Sequence, residues 1–540
     1  MACSKIFSGD LPEITSEIIL HCRNDFSTLY SCILVNRLLC RAAIPLLWEN
    51  PFLIPTQNCH FIELYLHYLN ESDKTKLEEI GFNKNLIPST TLFNYPSFIK
   101  CLNTFKMVFF IEKWAARVSP TFKQINNSYI YSGAINFKNF SKLIYNSLFK
   151  IFINNEVNLN TFEAEIITDI NYDYFENGIE LILQNPNFIS TIKNLKLHIY
   201  NISDANLTKI NSFLSLISSN CNNISSLYLR YQNMFVKSFS HIIHSQQNLQ
   251  KISFSCNIVP LHSLLSLKNS NTLNTIVFYS VDLKNTINLT EVFEQLNVLE
   301  SIHILYCHSL NFSFVQQIIN LTKPFKLRSL FMSETFPIES FQLLLQKSGD
   351  YLENIGFESL TNSNELLRLI TSYCSKIEIF ELRGLNDQNI HSSIDLIKNV
   401  GHNLNCLFID NFSNNSELSS FILLNLGKFL PPRLEYLNLT FRIKVDHFKI
   451  FLMASQNTFI KRLLIRNRMF KEDEEILPCI KEYIMKKRRV KYLAVDGTLN
   501  SSKKELFSLK DEVKEFKLHN IIVQSYDNLN ICCYKYIRNI

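Results

Sequence analysis

One apolar pattern constrains this chain more than any other feature: Leu434-Glu435-Tyr436-Leu437-Asn438-Leu439 recurs in outline down the C-terminal two-thirds, with Ile, Val, Phe or Met replacing Leu. The three apolar positions are Ile192/Leu195/Leu197, Ile224/Leu227/Leu229, Leu249/Ile252/Phe254, Leu273/Ile276/Phe278 and Leu299/Ile302/Ile304. They continue as Leu327/Leu330/Met332, Leu352/Ile355/Phe357, Ile377/Phe380/Leu382, Leu404/Leu407/Ile409 and Leu434/Leu437/Leu439. Ile460/Leu463/Ile465, Val490/Leu493/Val495 and Val513/Phe516/Leu518 end the series.

Alternation of the last two apolar positions puts them on one face of a short strand, and the position three residues earlier turns into the same core. Most repeats begin about 25 residues after the one before, a period typical of stacked supersecondary units. Segments of helical spacing lie between them, such as Phe341/Leu344/Leu345 and Leu366/Leu367/Ile370. One strand and one helix per turn predict an α/β coil with a parallel sheet inside and helices outside. Leu159, Phe162 and Ala164 read as a degenerate earlier strand.

The chain has 540 residues, 46% of them apolar, enough for more than one structural unit. Its net charge of +6 is too mild at this length to imply a nucleic-acid partner. With 10 glycines, Gly-dependent phosphate loops are scarce, and neither G-x-x-x-x-G-K-[ST] nor G-x-G-x-x-G occurs. Met1 to Pro12 does not read as a secretory signal, and no apolar run approaches a membrane span. The 14 cysteines are therefore expected as reduced thiols in a cytoplasmic or nuclear protein that engages no membrane.

Residues 11 to 51 read as three short helices. Pro12 suits a first turn, Ser27 can cap the second helix, and Pro45 is expected to interrupt the third. Ile14, Ile18 and Ile19, then Leu29, Ile33 and Leu34, supply an apolar face per helix. About forty residues cannot bury all of that, so part should be offered to a partner or to the next domain. From 56 to 156 the pattern is less regular, with a polar helix at 74–80, a longer amphipathic helix at 96–114 and another at 140–153.

The order Leu11-Pro12-Glu13-Ile14, Leu29-x-x-Cys32-x-x-Val35-Asn36-Arg37 and Ala43-x-x-x-Leu47-Trp48 resembles an F-box. Where the family usually has a Trp shortly after the Val-Asn-Arg triplet, this chain has Leu39. From 192 onward the repeats resemble the Cys-containing, ribonuclease-inhibitor-like leucine-rich class, with Cys221 and Cys374 each three residues before the strand motif. The two resemblances together imply an F-box at 1–55, a helical linker and cap at 56–156 and a leucine-rich solenoid at 157–540. They imply a non-catalytic client receptor of a Skp–cullin–F-box ubiquitin ligase, with no cofactor or metal. Leu11, Pro12, Ile14, Ile18, Leu29, Cys32, Val35 and Leu46 would contact the Skp adaptor, and through it cullin. The alternative is an interaction scaffold without ligase association.

On the strands, the residue between the last two apolar positions is expected on the concave face. Tyr228, His303, Phe331, Glu381, Phe408 and Asn438 occupy it, flanked by Arg230, Tyr279, Arg383, Asp410, Tyr436 and Arg466. Aromatic and Arg groups dominate binding hot spots, which makes this stripe the candidate surface for an unknown protein client. The competing explanation is that these side chains pack on one another across adjacent strands. Lys486-Lys487-Arg488-Arg489 reads as a cationic helix C-terminus or an import signal. His241 and His244 lack a third ligand in sequence, and Cys532-Cys533 lacks C-x-x-C spacing.

Overall fold

A computed structural model describes residues 12–23, 25–53, 59–79, 82–118, 132–255, 259–265, 271–284, 288–333, 337–358, 364–411, 416–468, 476–499, 502–531 and 537. The chain divides into two compact units, residues 1–252 with 260–273, and residues 253–259 with 274–540.

The first unit opens with three helices, α1 (Pro12–His21), α2 (Phe26–Ile33) and α3 (Arg37–Leu47). The α2 cap is Asp25, whose carboxylate accepts from Thr28 N–H, rather than Ser27. Asp25 precedes the helix and can reach the orphan donors, whereas Ser27 is already in the first turn. Asn36 caps α3 in the same way through Leu39 N–H. Pro45 does not interrupt α3, because it lies close enough to the C-terminus that only one ladder bond is lost. Ile19, Leu29, Leu39, Ala43 and Leu47 form the buried centre. Trp48 then packs its ring on Tyr95, 4.2 Å away, and edge-on to Tyr65, tying the helices to the next segment.

The expected helix at 96–114 divides. A 3-10 turn at Tyr95–Phe98 leads into strand β1 (Cys101–Asn103), and the helix runs Thr104–Val118. Its apolar spacing is satisfied partly by the strand, a local ambiguity that only pairing resolves. β2 (Thr161–Ile166), β3 (Asn194–Ile199), β4 (Ser226–Tyr231) and β5 (Lys251–Phe254) follow, the boundary between units falling within β5. β1 to β4 pair in parallel and in sequence order, so Leu102, Phe162, Leu195 and Leu227 form one buried row. The backbone immediately before each strand forms a ladder. The carbonyls of Glu49, Lys100, Asn160, Lys193 and Ser225 each accept two N–H bonds from the next strand entry.

In the second unit β6 (Thr275–Tyr279), β7 (Ser301–Cys307), β8 (Leu327–Met332), β9 (Asn354–Phe357) and β10 (Ile379–Arg383) are parallel and consecutive. β11 (Cys406–Asp410), β12 (Arg433–Phe441), β13 (Phe459–Asn467) and β14 (Val490–Leu499) continue them. Ile304, Leu330, Ile355, Phe380, Leu407, Leu437, Leu463 and Leu493 are in register and buried. Helices Ile338–Ser348 and Asn364–Tyr373 bury the expected Phe341/Leu344/Leu345 and Leu366/Leu367/Ile370.

The rule fails at the end. β15 (Ser502–Glu505) returns antiparallel to β14, and β16 (Ile522–Val523) pairs with β14 in parallel. Val513/Phe516/Leu518, read as a last strand, lies in the helix Lys510–Leu518. An L-x-x-L spacing also fits one helical face, and here Lys481 holds Glu512 and Glu515 at 2.6 and 2.7 Å, placing on one face two carboxylates that a strand would turn to opposite sides.

Candidate functional site

Two surfaces were expected to carry function. On α1, Ile14 and Ile18 lie one turn apart and are 46% and 47% exposed, and at the end of α2 Leu34 and Val35 are 74% and 65% exposed. A three-helix unit has room for a single small core, and Ile19, Leu29 and Leu39 take it. Of the expected contact residues, Ile14, Ile18 and Val35 are therefore accessible, and Cys32 and Leu46 are half-buried. Leu29 is fully buried and belongs to the core, which corrects its assignment as a contact. Leu11 lies outside the described residues, and Pro12 opens α1.

The strand stripe is different. Tyr228 and Arg230 belong to the first unit, and Tyr279, His303, Phe331, Glu381, Arg383, Phe408, Asp410 and Tyr436 to the second. Tyr228, His303, Phe331, Glu381, Phe408 and Tyr436 are all buried. Phe331 and Phe408, expected as the aromatic members of an open client surface, are covered within the fold itself, as the competing explanation has it. Strands lie about 4.8 Å apart, so side chains at one register position stack on their neighbours before a partner can reach them. Phe408 packs on Tyr436 with ring centroids 4.6 Å apart, and Phe331 packs on Tyr306 and over Gly356. A Cβ at Gly356 would stand 2.4 Å from the Phe331 ring, so the missing side chain is what admits the aromatic.

Polar members of the stripe are paired too. The Glu381 carboxylate accepts from Tyr306 O–H at 2.9 Å and meets Arg383 at 2.5 Å. His303 Nδ1 lies 2.7 Å from Ser329 Oγ, which accepts from Asn354 Nδ2. Burial raises the Asp410 carboxyl, opposed by Arg468 at 3.1 Å and by Arg383 and Arg466. In the first unit, Lys196 lies in register between Glu163 on β2 and Tyr228 on β4, and the Arg230 guanidinium sits 4.4 Å from the Tyr200 ring. Arg230, Tyr279, Arg383 and Asp410 keep partial exposure.

The chain's own C-terminal segment meets the same stripe, a contact the strand pattern gave no means of finding. Tyr526 O–H donates to Asn438 Oδ1 at 2.8 Å, and Asn530 Oδ1 accepts from Tyr436 O–H at 3.2 Å. Arg466 lies 3.8 Å over the Tyr526 ring and donates to Asp496 at 2.7 Å. The one available signal was compositional: Tyr526, Asn528 and Asn530 are polar groups with long reach, yet spaced like no repeat.

The cationic run is split by the fold. Lys486, Lys487 and Arg488 are exposed, whereas Arg489 is buried and donates to the carbonyls of Leu452 and Ser455 at the end of the helix Val445–Ala454 and to that of Thr458 just before β13. Cationic complementation of a helix C-terminus does occur, but by Arg489 alone and at a different helix from the one preceding the run.

Cys221 and Cys374 are buried, and Cys221 Sγ reaches the Ile189 carbonyl at 3.1 Å. The equivalent position of the next repeat holds Gln246, which is fully buried. Its amide donates to Cys221 O and Ile242 O, both at 2.8 Å, and accepts from Ile224 N–H at 3.0 Å. Among the described residues no three His, Cys, Asp or Glu side chains gather as a metal would require, and no helix is long and apolar enough to cross a membrane. His241 and His244 are both exposed on the helix Val236–Ser245, and Cys532 and Cys533 lie outside the described residues. The chain matches no protein-family model and no curated protein.

Proposed function

We propose that this chain is the client-receptor subunit of a Skp–cullin–F-box ubiquitin ligase, with α1–α3 as the F-box and the strand–helix units as leucine-rich repeats. The observation that carries the reading is the exposure of Ile14 and Ile18 on α1 and of Val35 in the turn after α2, in a three-helix unit whose small core is already closed. Large apolar side chains left outside a completed core favour a partner that covers them. Ubiquitin transfer would be performed by other subunits, and this chain would contribute effective concentration by holding adaptor and client at once.

The test is co-purification of the full chain with its Skp adaptor, beside an Ile14→Ala, Ile18→Ala, Val35→Ala variant. All three side chains lie outside the core, so the variant should keep its thermal midpoint and lose the complex. A folded wild-type chain that recovers neither adaptor nor cullin would refute the receptor role and favour the repeat-scaffold alternative.

A further inference from the structure

The candidate client stripe of the second unit already has an occupant. After β16 the backbone turns through a four-residue helix, Tyr526–Leu529, and lays Tyr526 and Asn530 on β12 and β13. The receiving groups are fixed by the sheet: Tyr436, Asn438 and Thr440 follow one another on one face of β12, and Arg466 pairs in register with Thr440 from β13. Asn438 both accepts from Tyr526 O–H and donates to Asn530 Oδ1 at 3.3 Å, so one carboxamide reads both ends of the segment. Tyr436 Oη does the same in reverse, donating to Asn530 and accepting from the Ile531 N–H at 3.2 Å.

The occupant depends on its surroundings for its order, with Tyr526 and Leu529 buried. A helix of four residues has no stability of its own, and Asp527 within it is 89% exposed at its side chain. The preformed half is the sheet and the adaptable half is the segment, the relation of a receptor to a peptide.

We infer that this face is a peptide-recognition site whose resident ligand is the C-terminal segment. An external client segment carrying a tyrosine with an asparagine four residues further on displaces it. The client role rests on the receptor function proposed above; peptide exchange on this face does not.

The experiment uses the full chain with Tyr526→Ala and Asn530→Ala, and a fluorescent peptide of sequence Gln524–Ile531, followed by anisotropy. The opened chain should bind the peptide about tenfold or more tightly than the wild-type chain, whose tethered segment competes at high effective concentration. Adding Asn438→Ala or Arg466→Ala to the opened chain should reverse that gain. As a second measurement, excess peptide added to the wild-type chain should speed hydrogen exchange across Tyr526–Ile531, where the Ile531 N–H is held by Tyr436. A folded opened chain that binds no better than wild type would overturn the inference. If the opened chain fails to fold, unchanged exchange in the wild type overturns it, since the segment is then part of the fold. Loss of adaptor binding would leave this result untouched, and failure of peptide exchange would leave the adaptor test standing.

Discussion

Replacing Gln246 with Met tests how the repeats are joined. Met keeps the length and volume of Gln and removes its hydrogen-bonding atoms, so the substitution isolates the polar contribution. Gln246 makes three bonds to backbone groups, the Ile224 N–H and the carbonyls of Cys221 and Ile242, in a site with no solvent access. The orphaned N–H costs about 2 kcal/mol, and the two carbonyls, each retaining unused acceptor capacity, about 0.5 kcal/mol apiece, for about 3 kcal/mol in all. In a unit of this size that lowers the thermal midpoint by roughly 6–12 °C. Both tryptophans, Trp48 and Trp114, belong to the first unit, so their fluorescence reports its unfolding without signal from the second. Gln246→Cys, which places there the residue found at Cys221 and Cys374, should recover part of the loss through an Sγ bond of the kind Cys221 makes to Ile189. A Met variant within about 0.5 kcal/mol of wild type would refute the reasoning and show that water or backbone shifts replace the amide.

Two further outcomes follow from buried groups. Arg489→Ala should destabilise the second unit by about 2–4 kcal/mol by stripping donors from three backbone carbonyls, two of them at a helix end, whereas Lys486→Ala, Lys487→Ala and Arg488→Ala together should stay near wild type; chemical denaturation read by circular dichroism separates them. Burial pushes the thiols of Cys221, Cys307, Cys374 and Cys406 up to about 12, so maleimide at about pH 8 should label the half-buried Cys22 and Cys40 in the native chain and reach those four only in denaturant, as mass spectrometry of the digested protein would show.

Most strands were legible because their code is local. From Leu195 to Val495 the alternation of apolar residues sets which side chains enter the core, and the pairing follows the chain order it implies. Three helices between 12 and 47 were legible for the same reason, their apolar residues recurring at helical spacing. Where two structures share one spacing, the pattern was silent: Val513/Phe516 lies in a helix that sets Glu512 and Glu515 opposite Lys481, a contact across more than thirty residues. Cys101–Asn103 became strand because Lys100 and Cys101 hang from the Glu49 carbonyl, some fifty residues earlier.

The candidate sites divide along the same line. The amphipathic pattern of α1 and α2 carries more apolar surface than so small a unit can bury, so a partner-facing patch could be anticipated from residues alone. Which side chains face outward was set by packing, with Ile19 and Leu29 inside and Ile14, Ile18 and Val35 outside. On the sheet, alternation identifies the non-core face of every strand and says nothing of what lies over it. That Phe331 is covered, that Arg489 leaves a cationic run to bind carbonyls, and that Tyr526 returns to Asn438 are facts of tertiary structure. The sequence alone determined a stack of strand–helix units behind three helices, because burial periodicity is a property of neighbouring residues. Only the folded chain decided which polar groups meet, because those bonds join residues dozens of positions apart whose approach no local spacing records.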